Sequence, residues 1–280
     1  MKQDVGLRKS TLLPVLSVAL ALGLVSNAHA QDQSAKGSNW YSGNWSLTIG
    51  AAGMVGPDFE GSQKYILSAV PLVSFGRQGT VTRFSSRNDN ISFGLIDTGD
   101  FRAGLVGKLL LPRDSSDYRG LEGLHDVKFG GEAGLFAEFY PTDWLRMRGE
   151  VRRGIRTHNG YVGDLAIDAF TDVTPRIRIS GGPRLSAASS DYFKAYYGVS
   201  NAESLTSGLS PYSPGGGFRS VGVGGAITWK TTDKVTTSLF AEYARLLGPA
   251  ADSSLVRERG SADQFLVGLS ATYRFDFTVP

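Results

Sequence analysis

The chain has 280 residues, 36 of them glycine, no cysteine and a formal net charge of +3, which excludes a disulfide framework, a cysteine-based metal site and thiolate chemistry. Residues 1–30 carry a net +2 of that charge, from Lys2, Arg8 and Lys9 against Asp4, so the remainder is nearly neutral and lacks the clustered basic surface that nucleic acid requires. No later segment approaches the run of about 18 apolar residues of a membrane-spanning helix, which leaves a soluble all-β protein or a β-barrel.

Residues 1–30 read as a signal peptide. A basic start leads into the apolar stretch 12–25, broken only by Ser17, and Ala28-His29-Ala30 has the small-x-small form of a cleavage site, predicting cleavage after Ala30 and export. Residues 31–44, polar apart from Trp40 and Tyr41, read as a periplasmic N-terminal segment. Residues 45–280 form the remaining domain, and there the pattern has period two.

Trp45, Leu47, Ile49 and Ala51 alternate with Ser46, Thr48 and Gly50, and 65–75 repeats the pattern around Pro71, which is awkward in a central strand. Two shorter candidates follow at 80–85 and 91–96. In 101–111, Phe101, Leu105 and Leu109 oppose Arg102 and Lys108; in 127–139, Val127, Phe129, Leu135 and Phe139 oppose Lys128, Glu132 and Glu138. After a turn at 141–143, Leu145, Met147 and Val151 oppose Arg146, Arg148, Glu150 and Arg152. Further strands are predicted at 161–171, 176–187, 218–230, 235–247 and 263–277. The last sets Phe265, Val267, Leu269, Tyr273, Phe275 and Phe277 against Gly268, Ser270, Thr272, Arg274 and Asp276. One face suits lipid and the other water, as in a transmembrane antiparallel up-and-down barrel of about twelve strands, with ten as the alternative count.

The connections sort by length. Those at 76–79, 97–100, 140–143, 172–175 and 231–234 are short, whereas 56–64, 112–126, 188–217 and 248–262 are long, the periplasmic-turn and extracellular-loop arrangement of an outer-membrane barrel. On the water-facing parity, Arg102, Lys108, Lys128, Arg146, Arg148, Arg152, Arg176, Arg178, Arg184 and Arg274 are basic and Glu132, Glu138, Glu150, Asp164, Asp168, Glu242 and Asp276 acidic. Such a wall either cross-links itself shut or lines a weakly anion-preferring pore, and a barrel of about twelve strands lies between the filled and the open sizes. Arg153 and Arg245 fall on the lipid-facing parity near the outer ends of their strands, where they either meet lipopolysaccharide phosphates or snorkel at the rim.

The thirty-residue loop 188–217 is too long to be a plain connection. Its aromatics, Tyr192, Phe193, Tyr196, Tyr197 and Tyr212, fold inward as a plug, outward as a contact surface, or end a ninth strand at the membrane interface. Around them, Tyr196-Tyr197-Gly198-Val199-Ser200, Glu203-Ser204, and Ser207-Gly208-Leu209 followed by Tyr212 resemble the Y-Y-G-V-S-x-x-E-S…S-G-L-x-x-Y stretch of the MipA/OmpV family. Arg245-Leu246, Gly248, Asp252-Ser253 and Leu255-Val256 are similar to its R-L-x-G-x-x-x-D-S-P-L-V segment, with Ser254 in place of the proline, and Tyr273-Arg274-Phe275 to its terminal Y-x-F. The chain runs on past that aromatic, so the outer-membrane assembly machinery is expected to read Phe277 rather than a terminal residue.

The resemblance implies an outer-membrane protein of a Gram-negative bacterium, described in some members as a scaffold for murein-synthesising and murein-cleaving enzymes and in others as porin-like or adhesive. Outer-membrane lipid and lipopolysaccharide are the other expected partners. No cofactor or metal is expected: Asp114, Asp117 and Asp126 do not match a calcium loop, and Gly222, Gly224 and Gly225 lack the lysine of a phosphate loop and suit close strand packing. Only His125 and His158 remain after cleavage, and His158-Asn159-Gly160 reads as a turn, so no enzymatic activity is expected.

Overall fold

The structure, a computed structural model, describes residues 20–22, 43–77 and 83–279. The cleavage site at Ala30 and nearly all of the 31–44 segment lie outside the described residues. A three-residue strand, β1 (Leu20–Leu22), runs parallel to Val73–Phe75 at the edge of a sheet made of eleven antiparallel strands. These are β2 (Gly43–Pro57), β3 (Tyr65–Arg77), β4 (Ile91–Asp97), β5 (Phe101–Leu110), β6 (Gly130–Thr142), β7 (Leu145–Ile155), β8 (Tyr161–Thr174), β9 (Ile177–Ala188), β10 (Gly217–Lys230), β11 (Val235–Leu246) and β12 (Asp263–Val279). Apart from β3 and β4, each pairs with its neighbour in sequence, and β12 returns to β2 with Phe275 opposite Leu47.

The burial pattern is that of a membrane wall. Along β7, Arg146, Arg148, Glu150 and Arg152 are buried on the inner face while Met147, Val151 and Ile155 are exposed on the outer one. On β12, Phe265, Val267 and Leu269 are likewise exposed. Apolar outside and charged inside is stable only where the outside meets hydrocarbon. Glycines let the strands approach: a Cβ on Gly222 would meet the Tyr243 carbonyl oxygen at 2.5 Å. Pro71, opposite Ala51, is tolerated because at that position β3 is paired only with β2 among the described residues, its pairing with β1 being confined to Val73–Phe75.

The wall is one strand short of the expected twelve. Among the described residues β3 and β4 are not paired, and because ten antiparallel steps separate them around the sheet they run in the same direction. The expected strand at 80–85 falls partly outside the described residues; its described part, Arg83 to Ser85, is not in the wall. Residues 83–90 instead pass through the barrel interior. The 127–139 strand also begins later than expected, at Gly130, because Val127 leaves the wall, pairs with Arg113 in an isolated bridge and is 2% exposed.

The long connections gather at one end of the barrel and fold into a cap. Loop 188–217 forms α1 (Ser190–Tyr197) and α2 (Asn201–Ser207), and the last long connection forms α3 (Gly248–Ala251) and α4 (Ser254–Arg259). Two apolar clusters hold them together: Phe59, Leu121, Val199, Leu209 and Leu255 in one, and Val162, Tyr192, Phe193, Tyr197, Leu246 and Val256 in the other. Four connections thus share one core, which orders segments that would otherwise cost chain entropy without return.

Candidate functional site

Strand register places opposite charges side by side on the inner face of β5 to β9. Arg102 stands opposite Glu138 and Glu138 opposite Arg148. Arg102 Nη1 donates to Glu138 Oε1 at 2.7 Å and Arg148 Nη1 to Glu138 Oε2 at 2.9 Å. Arg148 Nε donates to Glu150 at 2.9 Å, and Arg152 bridges Glu150, Asp164 and Glu132, the last at 2.7 Å. Lys108 is paired in register with Glu132, and Arg184 donates to Asp168. Cross-strand pairs of opposite sign stabilise a sheet, and here they also fill its interior.

Two of the expected interior charges stand elsewhere. Lys128 precedes β6 and is exposed at the cap end, with its carbonyl accepting from Thr157 Oγ1. Arg176 is exposed in the β8–β9 turn. Arg178 sits near the turn end of the interior, where it pairs with Asp172 and lies 5.4 Å from the Phe170 ring. The charged lining is also one-sided, since Ala52, Met54, Val70 and Phe240 form an apolar patch on β2, β3 and β11.

Residues 83–90 span the space between these two sides. Asp89 accepts from Arg146 Nη1 at 2.7 Å and Nη2 at 2.8 Å, a two-pronged pair. Arg146 also donates to Asp168 at 2.7 Å. Asn90 donates to Glu150 at 2.7 Å on the charged side; Arg87 donates to Glu242 at 2.7 Å and lies 4.4 Å over Phe240 on the apolar side. Phe84, 5% exposed, stacks on Phe170 with ring centroids 4.6 Å apart, and Arg178 Nη1 donates to the Arg83 carbonyl. The segment is an internal plug. Sequence offers one sign of it: 85–90 is uninterrupted polar residues without alternation, and the Ser86 N–H donates to Asp89, a local turn that polar side chains favour over a strand. Arg219 escaped parity because β10 slips register between Phe218 and Ser220, turning it inward to Ser186 and the Tyr192 hydroxyl.

The cap covers the end that carries the long connections. Tyr192 and Tyr197 lie in α1 rather than at the end of a strand, and they are 4% and 1% exposed, so these two rings are not an outward contact surface. The Tyr192 hydroxyl donates to Glu60 at 3.2 Å, and the Tyr196 carbonyl accepts from Arg113 at 3.0 Å. Gly198 ends α1, and Gly208 ends α2 at φ 77°, a left-handed position that favours glycine, with its N–H on the Ser204 carbonyl. Leu209 enters the cap core, and the Tyr212 hydroxyl donates to the Pro249 carbonyl. Burial holds the Tyr192 and Tyr197 hydroxyls well above their usual range.

Glu203 ties α2 down. It forms a reciprocal capping box with Ser200 and accepts from the His125 backbone N–H at 2.8 Å and pairs with His125 Nδ1 at 2.6 Å. Partial burial opposes its charge, but the Ser200 and His125 hydrogen bonds outweigh that and hold the carboxyl at about 2, below the ordinary 4.5. Because the folded value is depressed, this stabilisation is complete above about pH 4.5 and is lost as pH falls toward 2. Glu203→Ala is expected to loosen α2 by about 1 kcal/mol, read as faster amide exchange over residues 201–207 at pH 7 with the wall unchanged.

The sequence profile of the family described as "MltA-interacting protein MipA" matches residues 49–275. No curated protein sequence matches the chain. Among solved structures it is similar to a bacterial polysaccharide outer membrane secretin, 11% identical over 82% of this chain and 98% of that one, with a TM-score of 0.43. It is similar also to the NanC porin, 8% identical over 81% and 98% with a TM-score of 0.41, and to a Pseudomonas aeruginosa FadL homologue, 10% identical over 82% and 90% with a TM-score of 0.34. The lipid-facing exterior, the charged interior and the profile match together place the protein in the outer membrane of a Gram-negative bacterium. Since the match covers most of the chain, from the first wall strand to the last, this outer-membrane β-barrel protein belongs to the MltA-interacting protein MipA family.

Proposed function

We propose that the protein is a non-enzymatic barrel whose work lies in its contacts: a scaffold or interaction protein for murein-synthesising and murein-cleaving enzymes. The observation that carries this reading is the occupied interior. Arg146, Arg148 and Arg152 are 4% exposed or less and each is held by carboxylates, Asp89 of the plug among them. Among the described residues these ion pairs cross the interior, which favours a closed barrel over a pore. The family description, which names an interaction with MltA, supports the same reading.

The turns opposite the cap are too small to bury the roughly 800 Å² per partner of a standard interface. The docking handle therefore falls to residues 31–44, where Trp40 and Tyr41 are the aromatic anchors that interfaces favour. The test is photocrosslinking from positions 40 and 41 of the exported protein in cells, with Leu205 on the cap as the control position, followed by mass spectrometry. Recovery of a murein enzyme from 40 or 41 but not from 205 is the expected result. Recovery of none, with the barrel correctly inserted, would sink the proposal.

A further inference from the structure

The outer face of β6 to β9 is not a plain lipid-facing belt. It holds a groove of about 660 Å³ lined by Leu135, Val151, Leu165, Leu185 and Phe218. The groove exists because the outward positions at its centre are glycines: a Cβ added at Gly149 would meet nothing within 4 Å, and one at Gly163 only the Glu150 carbonyl oxygen at 3.8 Å. Its volume lies within the range of ligand sites, about 300–1,000 Å³.

Three cations stand at the cap end of this groove. Arg153 follows Val151 on the same outward parity and lies opposite both Ala133 and Tyr161, with its guanidinium 5.7 Å from the Tyr161 ring. Arg156, three residues on, is exposed and has φ 72°, the only non-glycine residue with positive φ among those described. Lys128 is exposed at the same end, and its main chain is held beside this turn by Thr157 Oγ1, which donates to its carbonyl at 3.1 Å. Among the described residues none of the three has a carboxylate in ion-pair range, although the inner-face arginines beside them are all paired. Arg245, the other outward arginine, is paired: it holds Asp263 at 2.7 Å.

Unpaired cations above an apolar groove, at the end of the barrel that carries the long connections, match one ligand: an acylated, phosphorylated lipid of the outer leaflet. We propose that the β6–β9 face binds one such lipid of the lipid A type. The phosphate sits on Arg153, Arg156 and Lys128, and one acyl chain lies in the groove over Gly149 and Gly163. Arginine offers paired donors to phosphate oxygens, and each basic side chain at a membrane surface adds attraction for anionic headgroups.

The test is native mass spectrometry of the refolded chain released from nanodiscs containing lipid A or its fully dephosphorylated form. Wild type is expected to retain one lipid A and to retain the dephosphorylated lipid about tenfold less or worse. The triple variant Lys128→Gln, Arg153→Gln, Arg156→Gln is expected to lose lipid A to the same degree. Gly149→Leu, which fills the groove without a backbone clash, is expected to lose it while all three cations remain. Arg245→Gln is expected to behave as wild type. Equal retention of the two lipids by wild type, a comparison that needs no variant, would overturn the proposal, as would full retention by Gly149→Leu.

Discussion

Replacing residues 83–90 with a glycine-serine linker of the same length is expected to turn a silent barrel into a conducting one. In planar bilayers the intact chain is expected to give no stable current steps, because the plug joins the charged side of the interior at Arg146 and Glu150 to the apolar side at Glu242 and Phe240. The linker keeps β3 and β4 connected while removing Phe84, Arg87 and Asp89. Arg146 and Arg148 then face water, and the current should be stepwise and salt-dependent. Deleting the cap helices α1 and α2 alone should open much less, since the obstruction lies below them. Steps of equal size from the intact chain would show that the plug leaves a path, and would make the protein a pore rather than a scaffold.

Arg146→Ala is expected to be the most destabilising single substitution in the wall. The residue is 0% exposed and holds three carboxylates: Asp89 and Asp168 at 2.7 Å and Glu138 at 3.6 Å. Two of these, Asp168 and Glu138, have side chains only 1% exposed. Removing one partner of a buried charge cluster leaves the others uncompensated and costs about 3–5 kcal/mol. Arg146→Lys keeps the charge but not the two-pronged contact with Asp89, so it should fall between wild type and the alanine variant. Urea unfolding in lipid vesicles, followed by the heat-modifiable gel shift of a folded barrel, reads both. A loss below about 1 kcal/mol for the alanine variant would mean that water already solvates the cluster.

The wall was largely readable from the chain because period-two alternation is imposed by the strand itself, and lipid outside sharpens the contrast between faces. Arg102, Arg146, Arg148, Glu150 and Arg184 fell on the inner face by parity alone. What parity cannot read is a departure from the wall. Lys128 and Val127 keep the alternation on paper, yet Val127 is drawn off by Arg113 into the cap. Arg219 was lost to the slip at Phe218 and Ser220. Beyond the polar run 85–90, the plug left no mark in the sequence, for a different reason. Its partners, Arg146, Glu150 and Glu242, lie 57, 60 and 155 residues away from the plug residues they hold, and nothing local announces a contact of that range. The cap helices were hidden similarly, since α2 has seven residues and takes its stability from the core beneath it.

The parallel course of β3 and β4 has a consequence for any opened state. The chain must climb back between them, and the described part of that return, residues 83–90, runs inside, held to the wall by Arg87, Asp89 and Asn90. Such a plug cannot dissociate; it can only compete. A tether this short holds its Asp89 carboxylate near Arg146 at an effective concentration of the order of millimolar or above. A soluble acid that displaced it would have to reach a comparable concentration and offer the same two-pronged contact, and when that acid diluted away the interior would refill without help. Occupancy by an outside anion would therefore be graded by supply and reversible on the timescale of loop motion.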